Sequence, residues 1–355
     1  MKKRIFFLGI MLFVFIINIQ QTFGCTTFCL KDGNNIVFGK SMDHTIGFGY
    51  LMVNKRNVKK TAFLLSDGTP ATWISKYGSI TINQYGRENP NEGMNEAGLV
   101  VDEMTLEESQ YPAPDERPMV EVLSWIQYQL DNSASIQDVI ESNNRIRISN
   151  KAIATVARIH FLITDSTGNT LAVEFLDGKA KFYYGESLPK KCLANETYES
   201  EMEIFKKYKY LYKKYKYNSP SRFATAAYML DNYKADKNNS IIDYSFSILD
   251  SVKAPNTVYQ AVYDIKNRKI YFRSRLSPQI KSIDLQYFDF DCSSQVMMID
   301  FNTSYYGNIN GKFIPYDSKL NEELIAKAFH ESGFILPKEI LLKAARFPES
   351  YKCNH

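Results

Sequence analysis

The chain has 355 residues, 45% hydrophobic and 14% aromatic; that is ample material for a large core and excludes an intrinsically disordered protein. Its formal charge of +4 includes Lys2, Lys3 and Arg4 at the extreme front, so the remainder is nearly neutral and exerts no global pull on nucleic acid. Four histidines and five cysteines (Cys25, Cys29, Cys192, Cys292, Cys353) lie scattered, without the spacing of a zinc site, and neither metal nor other cofactor is expected.

The front of the chain reads as a secretory signal peptide over residues 1–24. A basic n-region precedes an almost unbroken apolar run from Ile5 to Ile19, and a short polar stretch ends with Thr22 and Gly24 at the positions where a signal peptidase needs small residues. The apolar run is about 15 residues against the roughly 20 a membrane span requires, so no stable span is expected after cleavage, and the protein is expected to be secreted or periplasmic. A lipid anchor on Cys25 is the rival reading, but Thr22 and Phe23 stand where a lipobox has an aliphatic and a small residue.

After the leader, short strands are predicted at Thr26–Leu30 and Asn35–Phe38 around an Asp32-Gly33 turn, then over 47–54, 60–65, 72–74 and 79–85. Asn95-Glu96-Ala97-Gly98 turns into an apolar run ending at Asp102. The 3.6-residue periodicity predicts a helix over Met119–Leu130, and Ser135 with Asp138 marks the start of another over 135–144. Strands return at 159–164, 171–175 and 179–184. A helix is predicted over residues 199–215, with five lysines and four tyrosines, read as a solvated helix whose tyrosine rings cover the core, with a docking face for an acidic surface as the other reading. Helices at 223–232 and 240–249, a hairpin over 258–273, and helices at 321–331 and 337–345 complete the pattern. The order is that of an α+β fold. No repeat or low-complexity linker divides residues 25–355, which are read as one domain with a helical C-terminal extension from about 286.

Cleavage after Gly24 would give Cys25 both a thiol and a free α-amino group. The amine titrates near 7.7–8.0 and the thiol near 8.5, so the amine can take the thiol proton and later return it to a leaving nitrogen. An odd number of cysteines in an exported chain also leaves at least one thiol free.

The stretch from Cys25 to Asp43, Cys-Thr-Thr-Phe-Cys-Leu-Lys-Asp-Gly-Asn-Asn-Ile-Val-Phe-Gly-Lys-Ser-Met-Asp, resembles the start of the choloylglycine hydrolases and penicillin V acylases, linear amide C–N hydrolases of the N-terminal-nucleophile type. The resemblance continues at Gly93-Met94-Asn95-Glu96-Ala97-Gly98-Leu99, Leu193-Ala194-Asn195 and Ser221-Arg222-Phe223, in order through roughly residues 25–285. It implies a four-layer αββα sandwich of two mostly antiparallel sheets and hydrolysis of a non-peptide amide through a thioester on Cys25. It implies that Asp43 holds the α-amino group, Asn195 donates to the oxyanion and Arg222 favours the thiolate. Lys40 replaces the family's first arginine, and Thr105 lies where relatives place a second oxyanion partner or substrate contact. The partner implied is a small amide with an apolar acyl group; a homo-oligomer is compatible with this reading. Acyl transfer to an amine, as in acyl-coenzyme A:6-aminopenicillanate acyltransferases, and an exported lipid-anchored binding protein are the alternatives.

Overall fold

The computed structural model of the protein describes residues 24–64, 68–149, 157–208, 219–236, 239–333 and 336–354. All of the expected leader except Gly24 lies outside them, as do residues 209–215 of the lysine- and tyrosine-rich helix.

Two large sheets organise the chain. The first has seven strands in the order Cys192–Leu193, Thr26–Asp32, Asn35–Asp43, Thr257–Asp264, Lys269–Ser274, Lys281–Asp284 and Gly307–Asn308. The second has nine, in the order Lys179–Tyr184, Thr170–Leu176, Ile159–Thr164, Val100–Thr105, Glu92–Asn95, Ser79–Asn83, Tyr50–Asn54, Met297–Asp300 and Ile314–Pro315. Neighbours within both run antiparallel except Lys281–Asp284 beside Gly307–Asn308.

Period-two alternation shows how the layers stack. In the second sheet Val100, Leu162 and Ala172 join one buried cluster with Phe28, Phe38, Tyr263 and Phe272 of the first. Their chain neighbours Val101, Phe161, Ile163, Leu171 and Val173 point the other way, into a cluster with Trp125, Ile126, Leu130 and Val139. Those four come from helices Trp125–Asn132 and Ile136–Ser142. Helices Ser219–Asp231 and Ile241–Val252 cover the first sheet with Phe223, Ala227, Phe246 and Leu249. The result is the αββα sandwich, each sheet buried on both faces.

Most strand positions agree with the periodicity to within a few residues, and Ser135 caps its helix through the full reciprocal box with Asp138. The helix expected over Met119–Leu130 starts only at Trp125. Met119–Glu121 is instead a strand parallel to Arg147–Ser149, followed by a single tight turn at Val122–Ser124. Met119 also exchanges backbone hydrogen bonds with Thr69 and Ala71, so tertiary pairing overrides a 3.6-residue pattern that is equally readable as β-branched strand. The C-terminal segment is not helical throughout. Besides helices Ser318–Glu331 and Lys338–Arg346 it supplies edge strands to both sheets, and a disulfide joins Cys292 to Cys353.

Two glycines fix the backbone near the site. Gly39 faces Phe28 across the first hairpin, where a Cβ would overlap the Phe28 ring. Gly98 ends the Asn-Glu-Ala-Gly turn at φ +87°, and Arg268 fills the space a side chain would need.

Candidate active site

Cys25 stands directly ahead of the Thr26–Asp32 strand, and the Thr26↔Ser41 pairing sets it beside Met42 and Asp43 at the end of the next strand. Its Sγ lies 3.5 Å from Met42 Sδ and the thiol is buried. Burial pushes the thiol up to about 11, against the pull of Lys40 and of the Asp43 backbone N–H. At neutral pH this thiol keeps its proton until a base removes it.

Asp43 is fully buried. Its Oδ1 accepts from Ser41 Oγ at 3.3 Å and from Thr257 Oγ1, whereas Oδ2 has no hydrogen-bond partner among the described residues. Burial raises the carboxyl to about 6, held back by the Thr257 hydroxyl and the Arg222 charge. An orphaned carboxylate oxygen of this kind is costly unless it awaits a donor.

Arg222, near the start of Ser219–Asp231, reaches inward: Nε donates to Thr26 Oγ1 at 3.2 Å and Nη2 to Asn195 Oδ1 at 2.7 Å. Asn195 Nδ2 donates to the Thr105 backbone carbonyl at 2.9 Å. Thr105 thus meets Asn195 through its main chain, at the end of Val100–Thr105. The backbone ahead of Asn195 is gripped from both sides. Ala194 N–H donates to Glu201 Oε2 at 3.1 Å, and Ala194 O lies 2.8 Å from His160 Nε2. His160 is fully buried with Nδ1 3.5 Å from Glu174. Since a carbonyl can only accept, Nε2 must be the protonated nitrogen.

Lys40 lies deeper, fully buried, 2.6 Å from Asp102 and bonded to the Glu103 carbonyl. Burial opposes its charge, but the Asp102 carboxylate outweighs that and raises its pKa. Burial and Asp102 raise the neighbouring Glu92 well above the carboxylate range.

A narrow cavity of about 60 Å³ opens on the thiol, walled by Cys25, Met42, Met104, Leu123 and Ile159 and, on its polar side, by His44, Asn91 and Glu103. Larger hollows of about 430 and 400 Å³ lie elsewhere, and none of the six sequence-derived candidates lines either. Burial raises Glu103 to about 8 and lowers His44 to about 4, so at neutral pH both are largely uncharged. No cluster of three or more metal-capable side chains occurs among the described residues.

Cys25, Asp43, Asn195, Arg222, Lys40 and Thr105 therefore gather at one end of the sandwich, Lys40 as an interior support. Sequence reasoning missed His160, Glu201, Glu92 and Thr257. Each sits singly in an ordinary strand or helix pattern, and only the tertiary fold brings it to the site.

Known structures share this fold. A penicillin V acylase from Agrobacterium tumefaciens superposes with a TM-score of 0.70 at 23% identity, covering 82% of this chain and 98% of that one. A variant of the conjugated bile acid hydrolase from Clostridium perfringens gives 0.63 at 18% identity, covering 82% and 97%. In sequence, the penicillin V acylase of Pectobacterium atrosepticum is 23% identical over 290 residues, 68% of this chain and 77% of the relative. The fold is that of the N-terminal-nucleophile hydrolases. With the family profile matching residues 25–216 and 214–298, the chain belongs to the linear amide C–N hydrolases of the choloylglycine hydrolase family.

Proposed function

We propose that the protein is exported, loses residues 1–24, and hydrolyses a small amide with an apolar acyl group by using Cys25 as an N-terminal nucleophile. The observation that carries the reading is Asp43 Oδ2, buried beside Cys25 with no hydrogen-bond partner among the described residues. A newly exposed α-ammonium would supply the missing donor. Because burial keeps the thiol protonated, the α-amine at about 7.7–8.0 takes that proton as sulfur attacks the carbonyl carbon. The carbonyl oxygen gains the charge and Asn195 Nδ2 is positioned to stabilise it. Collapse expels the leaving nitrogen, which receives the proton from the ammonium, and leaves a thioester. Water then hydrolyses the thioester by the same route and restores the thiol. The Cys292–Cys353 disulfide fits an oxidising compartment outside the cytosol.

The test compares two forms, one beginning at Cys25 and one retaining Gly24, on conjugated bile salts, phenoxyacyl penicillins and N-acyl homoserine lactones. Mass detection of released amine is expected only from the first form. Equal turnover by both would remove the α-amine from the mechanism.

A further inference from the structure

The hollow of about 400 Å³ shares no lining residue with the cavity on Cys25. It lies where the end of helix Ile241–Val252 meets the strands Thr257–Asp264 and Lys269–Ser274, and its size is that of an ordinary small-molecule pocket, roughly 300–1,000 Å³. Gln260 and Arg273 stand opposite each other across the two strands, and Arg273 Nε donates to Gln260 Oε1 at 2.8 Å. Nη2 of the same guanidinium lies 2.7 Å from Asp250 Oδ1, and its central carbon sits 5.0 Å from the centre of the Phe246 ring. Lys253 Nζ shares that carboxylate oxygen at 3.2 Å. The turn ahead of the first strand is held too: Thr257 Oγ1 accepts from the Ala254 N–H at 2.9 Å and donates to Asp43 Oδ1. These contacts fix the walls in advance of any occupant, which lowers the ordering cost of binding.

Two donors are left over. A guanidinium can only donate, so the Gln260 oxygen must face Arg273. Its Nε2 then has no hydrogen-bond partner among the described residues, although the side chain is only 4% exposed. A buried amide N–H in that condition is costly until an acceptor meets it. Arg275 is anchored by its backbone N–H, which donates to the Val258 carbonyl at 2.8 Å, while its exposed side chain makes no hydrogen bond or ion pair among the described residues. Lys253, Arg273 and Arg275 thus surround the single carboxylate of Asp250, an excess of positive charge beside the apolar surfaces of Pro255, Val258 and Pro278. A free guanidinium matches one carboxylate through two parallel hydrogen bonds, and the apolar surfaces suit a carbon skeleton rather than a bare inorganic ion. We propose that this hollow is a second binding site, for a small organic acid whose carboxylate sits on Arg275 and gives Gln260 Nε2 an acceptor, with its apolar body against Pro255, Val258 and Pro278. The inference goes beyond the amide-hydrolase reading and does not rest on it.

The test is made on binding and uses no turnover. 4-Phenylbutanoate, 4-phenylbutanamide and inorganic phosphate are titrated calorimetrically into the full-length chain. Saturable binding is expected for the carboxylate alone, with affinity falling roughly ten- to a hundredfold in Arg275→Ala, the loss of a hydrogen bond to a charged group. Gln260→Glu keeps the acceptor for Arg273 but sets an anion where Nε2 stood, and is expected to weaken binding as well; melting temperatures of both variants are checked in parallel. A benzoate carrying a trifluoromethyl diazirine locates the site without substitution. Its cross-links are expected in peptides spanning 250–278 and should fade with excess 4-phenylbutanoate. Equal binding of the amide, displacement of the carboxylate by phosphate, unchanged affinity in either folded variant, or cross-links confined to the peptides around Cys25 overturns the inference.

Discussion

Asn195 is tied to Thr105 by a hydrogen bond from its side-chain amide to the Thr105 backbone carbonyl, 2.9 Å long, while its oxygen accepts from Arg222 at 2.7 Å. The amide plane is thereby fixed before any substrate arrives, which is what electrostatic preorganisation requires. Asn195→Ala is expected to lower kcat by roughly 10²–10³, the range for loss of one oxyanion donor, with KM changing less. Asn195→Asp keeps the contact to Arg222 but sets a carboxylate oxygen against the Thr105 carbonyl, and is expected to be at least as damaging. Steady-state kinetics on both variants checks this.

His160 acts through Ala194. Replacing it with Phe leaves the Ala194 carbonyl without its buried donor, a loss of about 1–3 kcal/mol in stability, and frees the segment that carries Asn195. The expected signature is a fall in kcat of about tenfold with little change in KM, partly rescued by His160→Asn. If kcat per folded molecule is unchanged while the melting temperature drops, the histidine serves packing alone.

Asp43 gives a pH signature. In the chain that retains Gly24 its carboxyl titrates at about 6, against about 3.9 when unfolded. Between these values the folded state binds more protons, so this group's contribution to stability is greatest below pH 4 and is lost as pH rises to 6. Asp43→Asn removes that loss and is expected to raise the melting temperature at pH 7 while abolishing turnover. In the Cys25-first form the ammonium lowers the Asp43 pKa, so the same loss is smaller. Thermal melts between pH 4 and 7 on the three proteins decide it; superimposable profiles would sink the assignment.

Lys40 is the buried cation paired with Asp102, and the charge of Glu92 also acts on it. Lys40→Met strands those acids in the interior and is expected to cost about 3–5 kcal/mol. Adding Asp102→Asn to that variant should recover part of the loss. Denaturant unfolding of the two variants measures both effects.

The strand pattern of the sandwich was readable because both large sheets are built from short runs bounded by turn formers, and the Asp32-Gly33 and Lys266-Asn267 turns set their hairpins. Met119–Glu121 was not, because its partners at 69–71 and 147–149 are remote in sequence. The gathering of Cys25, Asp43, Asn195 and Arg222 was legible in three short motifs that keep their order. Thr105 meets Asn195 through its main-chain carbonyl, a contact no side-chain pattern announces. His160 and Glu201 were invisible for a similar reason: each bonds the backbone of Ala194, and a residue that grips a backbone leaves no motif at the position gripped.

The Cys292–Cys353 bond closes a loop with a sequence separation of 61 residues. By chain entropy alone such a closure is worth about 4 kcal/mol, and the loop encloses both C-terminal helices together with the strand Met297–Asp300 and the edge strands Gly307–Asn308 and Ile314–Pro315. These elements share one fastening that the remaining strands lack. The persistence of this loop therefore depends on the redox state of its surroundings as well as on packing. A reductant is expected to remove that fastening and leave the loop held by its packing alone.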